Sequence, residues 1–224
     1  MRFLPRLRPW ISVALLSVIL LSACSLAGRQ PPRPNGIALA PDGSIYVMAL
    51  ANHRVVHLAP DGRRLDAFGR LGDRPADIYE GWGTALDVAG NIYLCHIWRD
   101  QEDSIGRESI KVFSPTGRLV REITAPGEDG AEGCYSVRVD DAGRIFAVYN
   151  NTNHLRIFDP QGRLLTTLWG ATGTGPGEFI GLRDVAFDAP RGLLYASDAG
   201  NSRIQQFDLS TSTEGEINAV YRRS

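Results

Sequence analysis

Residues 149–162, "YNNTNHLRIFDPQG", place three asparagines between two runs of alternating apolar residues. Asparagine is depleted in β-strands and tolerates the left-handed backbone conformation, so the stretch predicts two strands joined by a tight turn. Similar stretches begin at Tyr46, "YVMALANHRVVHLAPDG", and at Tyr195, "YASDAGNSRIQQFD". A hairpin that recurs along the chain predicts a repeat architecture.

The repeat is marked by an aromatic residue that stands three residues after a glycine. Successive aromatics are 47, 53 and 49 residues apart, and they are Tyr46, Tyr93, Phe146 and Tyr195. Around each aromatic lie short apolar stretches separated by Gly, Asp and Asn, with no room for a helix. Each unit is therefore predicted to be four strands of four to six residues, with residues 216–223 supplying the last strand of the last unit.

The apolar alternation leaves both faces of each predicted four-stranded sheet largely apolar. Such a sheet needs a neighbour on each side, and repeated units supply those neighbours by stacking around a common axis. The fold class predicted from the sequence is therefore all-β, a β-propeller of about four blades with four antiparallel strands each. The units are expected at about residues 34–79, 80–132, 133–177 and 178–224.

The repeat resembles the NHL repeat. "GIALAPDGSIYVMALANHRVVHLAPDG", residues 36–62, follows that pattern from a Gly-Ile-Ala start through Asp-Gly and an aromatic strand to Asn-x-Arg. "GTGPGEF", residues 173–179, is similar to the glycine-rich segment that often precedes such a repeat. The second unit departs from the pattern, because "HIWRDQEDSIGRESI" replaces its asparagine turn.

The number of units leaves the closure of the ring open. The resemblance implies about six blades, whereas this sequence contains four. A closed or nearly closed small ring is favoured, because an open ring would expose long apolar edges. A homodimer that completes the ring and a fragment of a longer propeller are the alternatives.

The first 33 residues have the features of an export signal and a tether. Arg2, Arg6 and Arg8 precede an apolar run of 14 residues at positions 10–23, which is too short for a comfortable membrane span but suits a signal peptide. Leu21-Ser22-Ala23-Cys24 resembles a bacterial lipobox, which implies cleavage before Cys24 and a lipid anchor on that cysteine. Residues 1–23 are therefore predicted to be a lipoprotein signal peptide and residues 24–33 a tether.

The localisation that follows is the bacterial cell envelope, with the folded part outside the cytoplasm. Loss of residues 1–23 would take the net charge from −1 to −4, because that segment holds three arginines and no acidic residue. Nothing in this charge balance indicates a nucleic-acid partner.

The candidate binding surface is the rim where the turns between second and third strands meet the crossings between blades. The eight-residue insertion of the second unit breaks the repeat there, and non-repeating residues on a repeating scaffold are where function is often placed. We expect a recognition loop for a protein, peptide or glycan partner; a solvated loop is the plainer interpretation. The partner-binding candidates are Trp82, His96, Trp98, Arg99, Asp100 and Tyr135.

A metal-assisted lactonase or lyase is the alternative function, since some propellers of those classes hold a cation on the axis. The equivalent axial positions here are Gly36, Gly83, Ser136 and Asp184, and three of them offer no strong ligand. The weak candidates for a calcium or zinc site are Asp184, His96 and Glu80. The sequence predicts no catalytic residue and no cofactor.

Cys95 and Cys134 are expected near the same rim on neighbouring blades. An oxidising compartment would permit a disulfide between them. Two buried free thiols are the other interpretation.

Overall fold

The computed structural model describes residues 33–99, 105–124, 133–210 and 217–224. Within these ranges sixteen strands form four antiparallel sheets of four strands, each in sequence order. Sheet 1 contains β1 (Pro34–Leu39), β2 (Ile45–Ala49), β3 (Arg54–Leu58) and β4 (Arg64–Phe68). Sheet 2 contains β5 (Glu80–Leu86), β6 (Ile92–Arg99), β7 (Ile105–Phe113) and β8 (Leu119–Ile123).

Sheet 3 contains β9 (Cys134–Val139), β10 (Ile145–Tyr149), β11 (His154–Phe158) and β12 (Leu164–Trp169). Sheet 4 contains β13 (Leu182–Asp188), β14 (Leu193–Asp198), β15 (Arg203–Asp208) and β16 (Val220–Arg223). No helix in the described ranges is long and apolar enough to cross a membrane. The all-β class and the four-stranded units predicted from the sequence are confirmed.

A glycine with positive φ recurs in the turns that follow the first and third strands. Between β1 and β2, Asp42 accepts a hydrogen bond from the Ser44 amide at 2.9 Å, and Gly43 adopts φ +83°. A residue with a side chain is strained at that φ, which is why glycine recurs there.

The turn between the second and third strands also contains a residue with positive φ. This residue is His53 in sheet 1, Asn153 in sheet 3 and Ser202 in sheet 4. Among these three turns, asparagine itself takes the left-handed position in sheet 3, whereas Asn52 and Asn201 lie in the turn one residue earlier in sheets 1 and 4.

The sheets pack face to face in chain order. The inner strands β1, β5, β9 and β13 contact one another consecutively. Three apolar clusters fill the spaces between sheets 1 and 2, between sheets 2 and 3, and between sheets 3 and 4. We call the face of each sheet that meets the next sheet its forward face, and the opposite face its backward face.

The marker aromatics have equivalent places in this packing. Each lies on the forward face of the second strand of its sheet, and Tyr46, Tyr93 and Phe146 are at most 5% exposed against the following sheet. Tyr195 has no following sheet among the described residues. Sheets 1 and 4 share no interface comparable to the other three within the described ranges, so these sheets do not form the closed ring that the sequence favoured.

The described part of the insertion of the second unit continues two strands. It lengthens the hairpin of β6 and β7, in which Ile97 pairs with Glu108 and Trp98 pairs with Arg107. Backbone pairing continues through these residues because each hydrogen bond between the two strands satisfies a backbone N–H and a C=O group that a loop would leave to water. His96, Trp98 and Arg99 are therefore strand residues, while Asp100 lies outside the described residues.

Gly83 marks a close approach of two inner strands. A Cβ atom at this position would lie 2.5 Å from the Ser136 Cα and 2.7 Å from the Val137 amide nitrogen. Because backbone cannot yield as a flexible side chain does, we expect Gly83→Ala to lower the free energy of unfolding by about 2 kcal/mol or more.

The matched control is Gly62→Ala. A Cβ at Gly62 meets nothing within 4 Å but is strained by its φ of +83°, so a loss of about 1 kcal/mol is expected. Denaturant unfolding measures both variants. Equal losses would contradict the close packing of the inner strands.

Candidate functional site

The site residues lie at one rim of the propeller. The inner strands begin at this rim, and the turns between second and third strands lie at the same end of each sheet because the hairpins are antiparallel. We call it the hairpin rim. The turns that follow the first and third strands lie at the opposite rim.

Three side chains from three sheets form a contiguous surface at the hairpin rim, which we call the platform. The rings of Trp82 on β5 and Tyr135 on β9 lie 5.1 Å apart with an interplanar angle of 33°. The guanidinium of Arg183 on β13 lies 4.8 Å from the centre of the Tyr135 ring. Both rings are partly exposed and Arg183 is exposed. The platform therefore offers aromatic and cationic surface to a ligand above the rim.

Glu80 holds one end of the platform in place. Its carboxylate accepts a hydrogen bond from Arg99 Nε at 2.9 Å and a longer one from Trp82 Nε1 at 3.4 Å. The Arg99 and Glu80 side chains are 25% and 22% exposed, so the pair is partly shielded from water. Anchoring of the indole reduces the side-chain entropy that binding would otherwise cost.

A second aromatic group lies at the hairpin rim beside sheet 1. The ring of Trp98 on β6 lies 6.4 Å from the ring of Tyr79, and the guanidinium of Arg107 lies 5.2 Å from the Trp98 ring. Trp98 and Tyr79 are both partly exposed. The lengthened hairpin therefore adds another aromatic residue with an arginine seated against it.

His96 is buried rather than displayed. It is 6% exposed, and its Nε2 accepts a hydrogen bond from the Tyr79 amide at 3.1 Å. Burial, together with the smaller effect of the positive charges of Lys111 and Arg107, lowers the pKa of His96 to about 3. The neutral ring therefore serves as a hydrogen-bond acceptor for the crossing from sheet 1 to sheet 2.

The two described crossings are built alike, which sequence reasoning missed. In the crossing at residues 69–79, Lys111 Nζ donates to the Asp77 carbonyl at 2.6 Å. In the crossing at residues 170–181, Gln205 Nε2 donates to the Glu178 carbonyl at 2.7 Å. The shared sequence signal is Gly-x-x-Gly-x-x-Pro-x followed by an acidic residue, at residues 69–77 and 170–178.

His96 has an acidic counterpart in sheet 4. Asp198 Oδ1 accepts a hydrogen bond from the Ile180 amide at 2.8 Å, as His96 does from the Tyr79 amide. Arg203 pairs with the same aspartate at 2.8 Å. Arg203, the arginine of the Asn-x-Arg pattern, thus helps to hold the crossing that leads into sheet 4. In sheet 2, His96 and Lys111 hold the corresponding crossing.

The three weak metal candidates each interact with other protein groups. Asp184 is engaged by Arg138 and accepts a hydrogen bond from Ser136 Oγ at 2.7 Å. Glu80 is paired with Arg99, and His96 is buried in the crossing. Among the residues that the structure describes, no group of three or more His, Cys, Asp or Glu side chains is placed to hold a metal ion.

Cys95 and Cys134 form a disulfide that joins β6 to β9, with their Cα atoms 5.5 Å apart. Both cysteines are fully buried in the cluster between sheets 2 and 3, against which Trp82 also packs. Cys134 directly precedes Tyr135, and its amide donates to Glu108 Oε2 at 2.9 Å. The disulfide therefore ties together the two sheets that carry the aromatic rings of the platform.

Comparison with known proteins agrees with this architecture. Residues 130–221 match the sequence model of a family described as "6-bladed beta-propeller". The chain is 26% identical over 182 residues to NHL repeat-containing protein 3 of Homo sapiens, across 76% of this chain and 50% of that protein. The same protein of Mus musculus matches with the same identity and coverage.

Solved propellers superpose on most of the chain. A gluconolactonase from Xanthomonas campestris has a TM-score of 0.61 at 16% identity, over 87% of this chain and 63% of that one. An inactive virginiamycin B lyase from Staphylococcus aureus with quinupristin has a TM-score of 0.60 at 14% identity, over 86% of this chain and 57% of that one. These likenesses show the fold alone.

The fold is a β-propeller. The repeat, the four sheets and the matched relatives agree with this fold, and the repeat is similar to that of NHL repeat-containing proteins. The chain spans about half the length of the curated relatives that it matches.

The burial of His96 predicts a dependence of stability on pH. Because its folded pKa of about 3 lies below the ordinary value of 6.5, the unfolded chain binds the proton more readily. The contribution of neutral His96 is therefore complete above pH 6.5 and decreases as the pH falls toward 3. Between pH 7 and pH 5 we expect a loss of about 2 kcal/mol in the free energy of unfolding.

The matched variant is His96→Gln, which keeps a hydrogen-bond acceptor and does not titrate. Urea unfolding at pH 7, 6 and 5 should show a flatter profile for the variant than for the wild type. Parallel profiles would show that His96 is not the buried neutral acceptor described here.

Proposed function

We propose that the protein is a lipid-anchored, extracytoplasmic propeller scaffold that binds a protein, peptide or glycan partner across its hairpin rim. The observation that carries this proposal is the platform of Trp82, Tyr135 and Arg183. Tryptophan, tyrosine and arginine are the residues in which binding energy is concentrated at interfaces. Here three of them, from three different sheets, are adjacent and accessible.

Preorganisation of the platform supports a binding role. Glu80 fixes the indole of Trp82, and the disulfide between Cys95 and Cys134 joins the sheets that carry the two rings. A surface held in place in this way loses little freedom when a ligand binds. Trp98 and Arg99 extend the proposed contact area along β6, whereas the buried His96 positions the crossing beside it.

The proposed location rests on the sequence. The predicted signal peptide, Cys24 and all of the tether except Arg33 lie outside the described residues, so lipidation is argued from Leu21-Ser22-Ala23-Cys24 alone. An oxidising envelope compartment is consistent with the Cys95–Cys134 disulfide, since such bonds are rare in the cytoplasm.

A metal-assisted hydrolase or lyase is the second candidate. The observation in its favour is the likeness of fold to a gluconolactonase and a virginiamycin B lyase. Asp184 is the acidic residue at an axial position, and a cation there would have to compete with Arg138 for its carboxylate. The remaining candidate, a non-catalytic part of a longer propeller, has the limited coverage of the relatives in its favour.

The rim proposal predicts that platform variants lose ligand capture without loss of fold. Trp82→Ala removes the indole and Arg183→Glu reverses the exposed charge, so each should weaken capture at least tenfold, which corresponds to about 1.4 kcal/mol. Immobilised proteins are incubated with detergent-solubilised envelope extract and with arrays of peptides and glycans, and bound species are identified by mass spectrometry.

The matched control is Val88→Asp, because Val88 is 77% exposed in the turn between β5 and β6 at the opposite rim. The control should capture as the wild type does, and thermal unfolding should show that all three variants are folded. Undiminished capture by Trp82→Ala and Arg183→Glu would show that the platform does not bind the partner.

The anchor is tested separately. In a bacterial host the intact wild-type chain should fractionate with membranes and lack residues 1–23, with a mass increased by acyl chains on Cys24. Cys24→Ala should release the protein from membranes. A mature protein without acyl chains would contradict the lipobox interpretation and leave the platform experiment unaffected.

A further inference from the structure

The backward face of sheet 1 is apolar and open to solvent. Ile37 and Leu39 on β1 are 68% and 70% exposed, the largest exposures of bulky apolar residues on any described strand. Strand pairing places Val47 and Val56 beside Ile37, and Ile45 and Leu58 beside Leu39. Six apolar side chains therefore form one continuous surface on that face.

The corresponding face of every other sheet packs against the preceding sheet. The positions equivalent to Ile45 are Ile92, Ile145 and Leu194, and each of these is fully buried against the preceding sheet. The positions equivalent to Ile37 are Thr84, Val137 and Val185, and each is at most 2% exposed. The exposed face of sheet 1 thus repeats a surface that the molecule covers three times.

The forward face of sheet 4, at the other end of the row of sheets, carries more polar side chains. On the forward face of sheet 4, Ser197 and Gln206 stand where sheet 3 has Val148 and Ile157. Gln206 donates to Tyr195 Oη at 2.9 Å and accepts from Arg223 Nε at 2.8 Å. Hydrogen-bonded polar groups of this kind are what a terminal repeat needs in order to face water.

The two end sheets therefore differ in how much apolar surface they leave to be covered. Ile204 and Val220 remain as exposed bulky apolar residues at the forward end, at 60% and 54%, whereas the equivalents of Ile204, which are Val55, Ile110 and Leu155, are fully buried. Sheet 4 offers few apolar groups to cover sheet 1 of another molecule. Sheet 1 itself offers an apolar face that matches its own.

We propose that the backward face of sheet 1 is an interface for a second copy of this chain, which covers it with the same face. The two copies are related by a two-fold axis, so each contact occurs twice, and two-fold dimers are the commonest assembly of soluble proteins. The apolar side chains of the two sheets interdigitate as in a β-sandwich, with the sheets about 10 Å apart. Ile37 and Leu39 lie at the centre of this interface.

The test counts chain copies by native mass spectrometry of the intact protein in detergent. The wild type is expected as a dimer. Leu39→Arg places a charge in the interface, and we expect it to halve the observed mass. Ile37→Arg is the second variant, and it should have the same effect.

Two controls carry the same substitution at exposed valine or isoleucine positions elsewhere. Ile204→Arg lies on the forward face of sheet 4, and Val88→Arg lies at the turn between β5 and β6. Both should remain dimeric. Circular dichroism and thermal unfolding establish that all four variants are folded, as expected for exposed positions.

A monomeric wild type would overturn the proposal, since it would leave the face for some other occupant. Loss of the dimer in both Leu39→Arg and Ile204→Arg would also overturn it, because that result requires sheet 4 of one copy against sheet 1 of the other. The platform proposal is independent of either result.

Discussion

The structure depends on one constraint, the apolar character of both faces of a four-stranded sheet. Such a sheet is stabilised by a partner on each face, and three packed interfaces supply two partners to sheets 2 and 3 and one partner each to sheets 1 and 4. The inner strands come so close that Gly83 leaves no room for a side chain beside Ser136. Turn chemistry, strand length and the position of each marker aromatic all serve this stacking.

The same stacking creates the candidate site. Inner strands from neighbouring sheets begin at one rim, so residues distant in sequence become adjacent there, as Trp82 and Tyr135 do. Because the repeat does not require those residue types, the rim is free to carry a specific surface. The crossings behind it are held by buried polar groups, with His96 and Lys111 in one crossing and Asp198 and Gln205 in the other.

The sequence predicts the strands well because the turn glycines and the marker aromatics are local signals. It does not predict that His96, Trp98 and Arg99 continue a strand, since the charged residues around them resemble a loop and only the partner strand shows the pairing. Trp82 and Tyr135 were named as separate candidates, but their contact depends on the relative placement of two sheets. The roles of Lys111 and Gln205 emerge only when the two crossings are compared in space.

A crystal structure of the protein would test the consecutive packing of equivalent sheets most directly, through the surroundings of Tyr46, Tyr93, Phe146 and Tyr195. The account predicts that the first three rings are buried against the following sheet at the same position of the second strand. Tyr195 should occupy that position on sheet 4 and hydrogen-bond to Gln206. Dissimilar surroundings for the four rings, or sheet 4 packed directly against sheet 1, would contradict it.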